Sequence, residues 1–462
     1  MSEILSIIIL IVIILFVFGL LTFVRDVLLS DSSKVFNYKG DHDKATEETP
    51  ICKAPKRKHN KDYTFLGIGT NRKDVLMPND AKHVFVCGTT GSGKTILLSN
   101  FIKSGADYDY PMLIVDGKGD TDVGSLLELT KELCFAKGRK IYVINLNNPY
   151  SSDKYNPFKN TDTDIIKDML INMTNWSEEH YKYNTERYLG RLCKLLELKG
   201  IAISLDTITE YLPVEKFKML SMELVKDGAI TKAENLADID LAKTSGSIAE
   251  AAVARFAVIK ESKLGKIFDS SGIDIYTALK ENAIILFILN PLLYPEMSPL
   301  IGNLIIIDSK KAVSNFYSDK KKRIFYIFDE INVYASPALL DLVNKSRSAN
   351  ITCVLATQSL SDLELVSPQF KEQIIENCNN YVVLRQNSGA NAEGWSNVIG
   401  TKVTMQATYQ IKEDESTGLG SLRKTREYIY HPDDIKLLAT GNAIFVSRDE
   451  MCHTKLKVNK PF

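Results

Sequence analysis

The 462-residue chain has no surplus of either charge: Lys+Arg and Asp+Glu are both 57. That balance excludes a uniformly basic coat for nucleic acid, though not a local basic lumen or groove. The chain also lacks any CxxC pair or Cys/His cluster. Its cysteines, at 52, 87, 134, 193, 353, 378 and 452, stand apart. Neither a zinc site nor a disulfide framework is expected, and the pattern fits a reducing compartment. Beyond Val24 no stretch approaches the roughly 18 consecutive apolar residues that a membrane span needs.

One such stretch is present. Ile4 through Val24 is uncharged and dominated by Ile, Leu, Val and Phe, long enough to cross a bilayer as a helix. A cleaved signal peptide fits poorly, because Glu3 precedes the run and no small-x-small cleavage site follows. Arg25, Lys34, Lys39 and Lys44 follow the span and no Lys or Arg precedes it. The positive-inside rule then puts the rest of the chain in the cytoplasm. The expectation is a single-pass protein of the cell (inner) membrane. A polar stretch from about 30 to 62 reads as a solvated linker. Its basic run Lys53, Lys56, Arg57, Lys58, Lys61 could also touch anionic lipid.

The loudest motif is Gly88-Thr89-Thr90-Gly91-Ser92-Gly93-Lys94-Thr95. It follows the apolar run Val84–Cys87 and precedes Ile96-Leu97-Leu98, the strand–loop–helix setting of a phosphate-binding P-loop. The glycines let successive N–H groups face the β-phosphate of ATP, and the helix N-terminus adds a favourable dipole. Lys94 is expected to reach the β- and γ-phosphates and the Thr95 hydroxyl to ligate Mg²⁺. Far downstream, the apolar run Arg323–Phe328 ends in Asp329-Glu330. An acid at such a strand end holds the Mg²⁺ shell in P-loop ATPases, which assigns Asp329 to the metal and Glu330 to orienting the attacking water. Gln358, at the tip of the run Ile351–Ala356, is placed to sense the γ-phosphate. Nothing after the P-loop resembles an acceptor-binding lid, which sets aside a small-molecule kinase.

Around these motifs, strands alternate with helical segments. Strands are expected at 65–70, 84–87, 112–115, 140–144, 283–289, 323–328, 351–356, 381–385 and 443–446, with helices over about 121–137 and 299–315. That order argues for a parallel, doubly wound α/β sheet. The middle differs: Tyr181, Tyr188, Leu192, Leu195 and Leu196 recur at helical spacing, and further helices are expected near 206–210, 216–225 and 248–262. The stripe reads as the core of an all-α insert. The expected organisation is an anchor at 1–29, a linker at 30–62, an ATPase domain at 63–160 and 265–462, and the insert at 161–264.

The order of P-loop, Asp116-Gly-Lys-Gly-Asp120, Tyr155-Asn156-Pro157, helical insert, Phe328-Asp329-Glu330, Lys345-Ser-Arg347-Ser, Ala356-Thr-Gln-Ser359, Tyr430-His-Pro-Asp-Asp-Ile435 and Gly441-Asn-Ala443 resembles the TraG/TraD type of conjugative coupling proteins, within the FtsK/HerA class of DNA-pumping ATPases. The resemblance covers about Gly67 to Phe462. It implies a RecA-like P-loop ATPase that assembles as a membrane-anchored homo-hexamer. Such a ring passes single-stranded DNA, or a relaxase–DNA conjugate from the relaxosome, to the components of a type IV secretion channel. Arg347 lies where coupling proteins carry an inter-subunit arginine, which would neutralise charge on the γ-phosphate of a neighbour; a surface salt bridge is the plainer alternative. Many members have two membrane segments, whereas one is found here. Two other functions stay open: a DNA translocase or helicase outside conjugation, and a secretion ATPase that moves protein.

Overall fold

The structure is a computed structural model. It describes residues 63–80, 82–172, 179–319, 322–412 and 415–461. The Ile4–Val24 run and the linker lie outside the described residues, and among the described residues no helix is long and apolar enough to cross a membrane.

The strands in chain order are β1 (Tyr63–Gly69), β2 (Asp74–Pro78), β3 (Val84–Cys87), β4 (Met112–Asp116), β5 (Ile141–Asn145), β6 (Ile284–Ile288), β7 (Ile324–Asp329), β8 (Ile351–Thr357), β9 (Asn380–Val383), β10 (Thr401–Lys412), β11 (Glu415–Tyr428), β12 (Asn442–Ser447) and β13 (Cys452–Val458). All but β10 and β11 form an eleven-stranded sheet ordered β2-β1-β13-β12-β9-β3-β8-β7-β4-β6-β5. From β9 to β5 the neighbours pair in parallel. The remaining strands, β12, β13, β1 and β2, pair antiparallel. The sheet is therefore mixed rather than parallel throughout. β2 and β13 carry the correction: Cys452–Val458 alternates buried and half-exposed residues, the period of a strand with one face covered, without a long apolar run.

β3, β4, β6, β7 and β8 are buried at every position. They are near-continuous apolar runs because helices cover both sheet faces. On one face Leu97, Leu98, Phe101 and Ile102 of the helix Lys94–Asp107 pack on Val84, Val86, Ile114, Phe325, Ile327 and Val354. On the other, Trp395 lies 5.6 Å from Phe85 and 6.0 Å from Tyr381. Five cysteines (87, 134, 193, 353 and 378) are free and buried. Cys452 is disulfide-bonded, which cysteine spacing alone did not reveal.

Between β5 and β6 the chain is helical, at Thr163–Asn172, Glu179–Lys199, Leu205–Tyr211, Val214–Lys226 and Lys232–Glu261. Tyr188 stacks on Phe217 at 4.5 Å and donates to the Leu212 carbonyl at 2.8 Å. Leu192, Leu195 and Leu196 are buried beside it, but Tyr181 is 44% exposed and does not join that core. The expected helix at 248–262 is the second half of a single 30-residue helix. Its first half shows little apolar periodicity, yet Thr231 and Glu234 form a capping box that marks its start. Arg191 grips Asp238 through two nitrogens at 2.6 and 2.9 Å, tying two of these helices together.

His83, immediately before β3, is buried and links three elements. Its Nδ1 accepts the Cys353 N–H of β8 at 3.0 Å, which leaves Nε2 as the donor facing Ser346 Oγ at 3.4 Å. Burial pushes its pKa from 6.5 down to about 4, and the nearby Arg347 charge acts in the same direction. The unfolded imidazole therefore takes up a proton near pH 6.5 and the folded one only near 4. The stabilising contribution is complete above 6.5 and is lost as the pH falls toward 4, about 3 kcal/mol in all. Urea midpoints at pH 7 and pH 4 should show that loss in the native chain and a smaller one in His83→Gln. Equal pH dependence in the two would contradict it.

Candidate active site

The P-loop occupies the tip of β3, between the tips of β8 and β9. Gly88 N–H donates to the Thr357 carbonyl at 3.2 Å and Thr89 N–H to the Arg385 carbonyl at 3.0 Å. Gly91 (φ +74) and Gly93 (φ +112) are left-handed, which a side chain would oppose. Gly93 caps the helix Lys94–Asp107 with no side-chain bond to its first turn, so the helix start presents backbone N–H groups to an anion. Lys94 is buried and folds back to donate to the Gly88 carbonyl at 2.8 Å. Thr95 follows it, half-buried in the same turn.

The acidic half comes from β7, separated from β3 by the single strand β8. Glu330 sits just past β7 with φ 48 and ψ 54, a conformation that costs a non-glycine residue on the order of 1–3 kcal/mol. That bend brings its Oε1 to 3.5 Å from Lys94 Nζ. Gln358, at the tip of the intervening β8, donates to the same Oε1 at 3.2 Å and accepts from Thr90 Oγ1 at 3.3 Å. Glu330 Oε2 is buried with no hydrogen-bond partner. One oxygen of this carboxylate is thus tethered, while the other is available to accept a proton.

Asp329 is buried at the end of β7, accepting the Glu330 N–H at 3.0 Å. Burial raises its pKa to about 7, with the charges of Glu330 and Asp116 adding to the effect and Lys94 opposing it. Asp116, its register partner on β4, is raised to about 6, again chiefly by burial, although the N–H groups of Lys118 and Gly119 bond its Oδ1. Two acids held this way are poised to gain a cation. Among the described residues no three His, Cys, Asp or Glu side chains converge as a ligand cluster. That suits Mg²⁺, which keeps water and phosphate oxygens and takes only one or two carboxylates from protein.

The structure thus brings Lys94, Glu330, Gln358 and Thr90 together by direct contact and places Thr95 and Asp329 in the same two elements. It does not bring Arg347 to this site. Arg347 is exposed, in the turn Arg347–Ala349 that precedes β8, whereas the P-loop flanks the far end of that strand. A seven-residue strand spans roughly 20 Å.

Three supports went unassigned in the sequence. Tyr334 donates to the Asp329 carbonyl at 2.9 Å and pins the end of β7. Gln386, buried beside the P-loop, donates to the Gln358 carbonyl at 3.4 Å. Gly441 donates its N–H to the Ser92 carbonyl at 3.0 Å, so the start of β12 braces the loop from behind. Tyr334 lies just past Glu330 and Gln386 just past the strand expected at 381–385, but only the fold shows which way they point. Gly441 is more than three hundred residues from Ser92, and although it stands in the Gly441-Asn-Ala443 run, a backbone N–H gives no sign in the sequence of what it bonds.

Residues 323–440 match the family model described as the TraM recognition site of TraD and TraG. The fold is similar to that of the bacterial conjugative coupling protein TrwBdeltaN70, unbound form, with TM-score 0.62 and 17% identity over 88% of this chain and 90% of that one. TrwB in complex with ADP and Mg²⁺ gives TM-score 0.59 and 18% identity over 91% and 92%. VirB4 of Thermoanaerobacter pseudethanolicus gives TM-score 0.53 and 12% identity over 87% and 97%. An uncharacterised protein of Mycoplasma pneumoniae is 31% identical over 93 residues, 17% of this chain and 78% of that protein. The matched segment runs from β7 through Gln358 to the approach of β12, and the fold around it is that of the conjugative coupling protein TrwB.

Proposed function

We propose that this chain is an ATPase that drives single-stranded DNA, or a relaxase–DNA conjugate, toward a type IV secretion channel during conjugation. The observation that carries the reading is the meeting of Lys94, Glu330 and Gln358 at one P-loop. Solved TrwB complexes hold a non-hydrolysable ATP analogue in one case and ADP with Mg²⁺ in another. Here Gly88 through Thr95 would hold the phosphates, and Thr95 and Asp329 would hold Mg²⁺. When bound, that ion neutralises charge on the phosphate oxygens. Asp329 must be a carboxylate to bind it, so metal binding competes with the proton that burial favours on this residue.

In the hydrolysis step Lys94 exchanges its contact with Gly88 and Glu330 for the phosphates. Glu330 Oε2 then orients the attacking water and accepts its proton. Gln358, bonded at once to Glu330 and to Thr90 of the P-loop, reports the loss of the γ-phosphate to β8. Arg347, too far from the P-loop of its own chain, would complete the site of the adjacent subunit. The assembly we propose is a homo-hexamer. It is held to the inner membrane by Ile4–Val24, with the ATPase body in the cytoplasm and relaxosome and channel proteins as partners.

Lys94→Ala should reduce ATP turnover to background while circular dichroism stays native, since Lys94 serves a ligand rather than the core. Glu330→Gln should still bind ATP and Mg²⁺ but lose turnover by about 10²–10⁴-fold, the usual worth of a positioned base. Retained turnover in the first, or lost nucleotide binding in the second, would remove the assignment. Turnover of the native chain should rise with added single-stranded DNA. A rate that responds only to a protein substrate would instead favour a protein-secreting ATPase.

A further inference from the structure

Residues 399–431 fall in a different compact unit from the ATPase body, and their framework is the antiparallel ribbon β10–β11. Every described side chain of the ribbon from Thr401 to Gln406 and from Ser421 to Tyr428 is exposed or half-exposed. A two-stranded ribbon is marginal in water by itself, and these described positions leave surface on both of its faces for a partner.

The register sorts its side chains. Val403 faces Arg426 and Met405 faces Lys424 on one side, which Leu422 shares; Lys402 faces Glu427, Thr404 faces Thr425 and Gln406 faces Arg423 on the other. Met405 and Leu422 are 37% and 41% exposed. Lys402, Arg423, Lys424 and Arg426 are all exposed, against the single described acid Glu427, which is engaged by Gln406 at 3.0 Å. Among the described residues Arg426 bonds Thr401 Oγ1 at 3.0 Å, and Lys402, Arg423 and Lys424 have no ion-pair partner. Lysines of the other unit are matched: Lys371 with Glu364 and Glu372, Lys436 with Asp433, Lys455 with Asp434. Among the described side chains of the ribbon, cations outnumber acids by four to one.

We propose that the β10–β11 ribbon is the single-stranded DNA contact of this protein, its cations Lys402, Arg423, Lys424 and Arg426 bonding the phosphate backbone. The inference rests on the DNA-moving reading above and names the element that holds the strand. Phosphates are the matching partner because cations on both faces suit a polymer that runs along or around the ribbon, whereas a lipid surface would meet one face only. Thr404, Gln406 and Thr425 supply neutral donors for phosphate and sugar, which position a strand without reading its sequence. Met405 and Leu422 offer apolar surface to the bases beside the cations of their face. Recognition of this kind is independent of sequence and strongly dependent on salt.

The test is binding of a fluorescent single-stranded oligonucleotide by the full chain across a salt series, alongside basal ATPase. The triple variant Lys402→Gln, Arg423→Gln, Lys424→Gln changes exposed side chains outside the nucleotide site, so basal turnover and circular dichroism should not move. Each lost phosphate contact flattens the plot of log affinity against log salt by about 0.7, so the slope should fall by about 2 and affinity at physiological salt by tenfold or more. The charge-preserving variant Lys402→Arg, Arg423→Lys, Lys424→Arg should bind as the native chain does. A triple variant with native slope and affinity overturns the ribbon assignment while leaving the DNA-moving reading intact. A native chain with no salt-dependent DNA binding overturns both. A variant that keeps its DNA affinity but loses binding to phosphatidylserine vesicles makes the ribbon a lipid contact and overturns the proposal.

Discussion

Lys94 and Glu330 meet at 3.5 Å across the width of one strand, and the rest of the site is arranged around that contact. The contact needs a sheet in which the P-loop strand and the acidic strand are not adjacent, because β8 must lie between them to deliver Gln358. It needs the left-handed backbone at Glu330, without which the side chain would point along β7 and miss Lys94. It also needs the surrounding helices, since a Lys–carboxylate pair open to water would contribute little. Here both groups are buried, so the pair holds each partner in place until a phosphate competes for the lysine.

The same burial loads the site with unfavourable negative charge. Asp116 and Asp329 end neighbouring strands in register, and both are held above the ordinary carboxylate range. A pair of acids kept this way costs the empty protein stability that a divalent cation and its phosphates would return. Strain at Glu330, a buried unpartnered oxygen and raised acids lie together in one small volume, which is where function rather than folding sets the residues.

Much of this was legible in the sequence, for reasons that differ by element. The P-loop could be read because its chemistry is local: eight consecutive residues supply the turn, the cation and the hydroxyl. Asp329 and Glu330 could be read because a fully buried strand is an apolar run, and acids at its end stand out. Tyr334, Gln386 and Gly441 could not, since each acts through the direction of one bond set by remote packing. β2, β13 and the β10–β11 ribbon were missed because strands with one or both faces exposed carry polar residues and no long apolar run. The helix Lys232–Glu261 was seen only in its second half because its first half has little apolar periodicity.

Arg347 is what turns a nucleotide site into a statement about assembly. It lies at the opposite end of β8 from the P-loop, so within one chain it cannot reach the phosphates. If it acts on ATP, it acts on a neighbour's. The direct measurement mixes Arg347→Ala chains with Lys94→Ala chains and follows ATP turnover over a series of ratios at assembling concentrations. Each homogeneous assembly lacks a complete site, but a mixed one can pair the intact P-loop of an Arg347→Ala chain with the intact arginine of a Lys94→Ala neighbour. The account predicts activity that peaks at intermediate ratios, well above either parent, given the roughly 10³–10⁵-fold that such an arginine contributes. Turnover flat at background, with mixed assemblies confirmed independently, would contradict it.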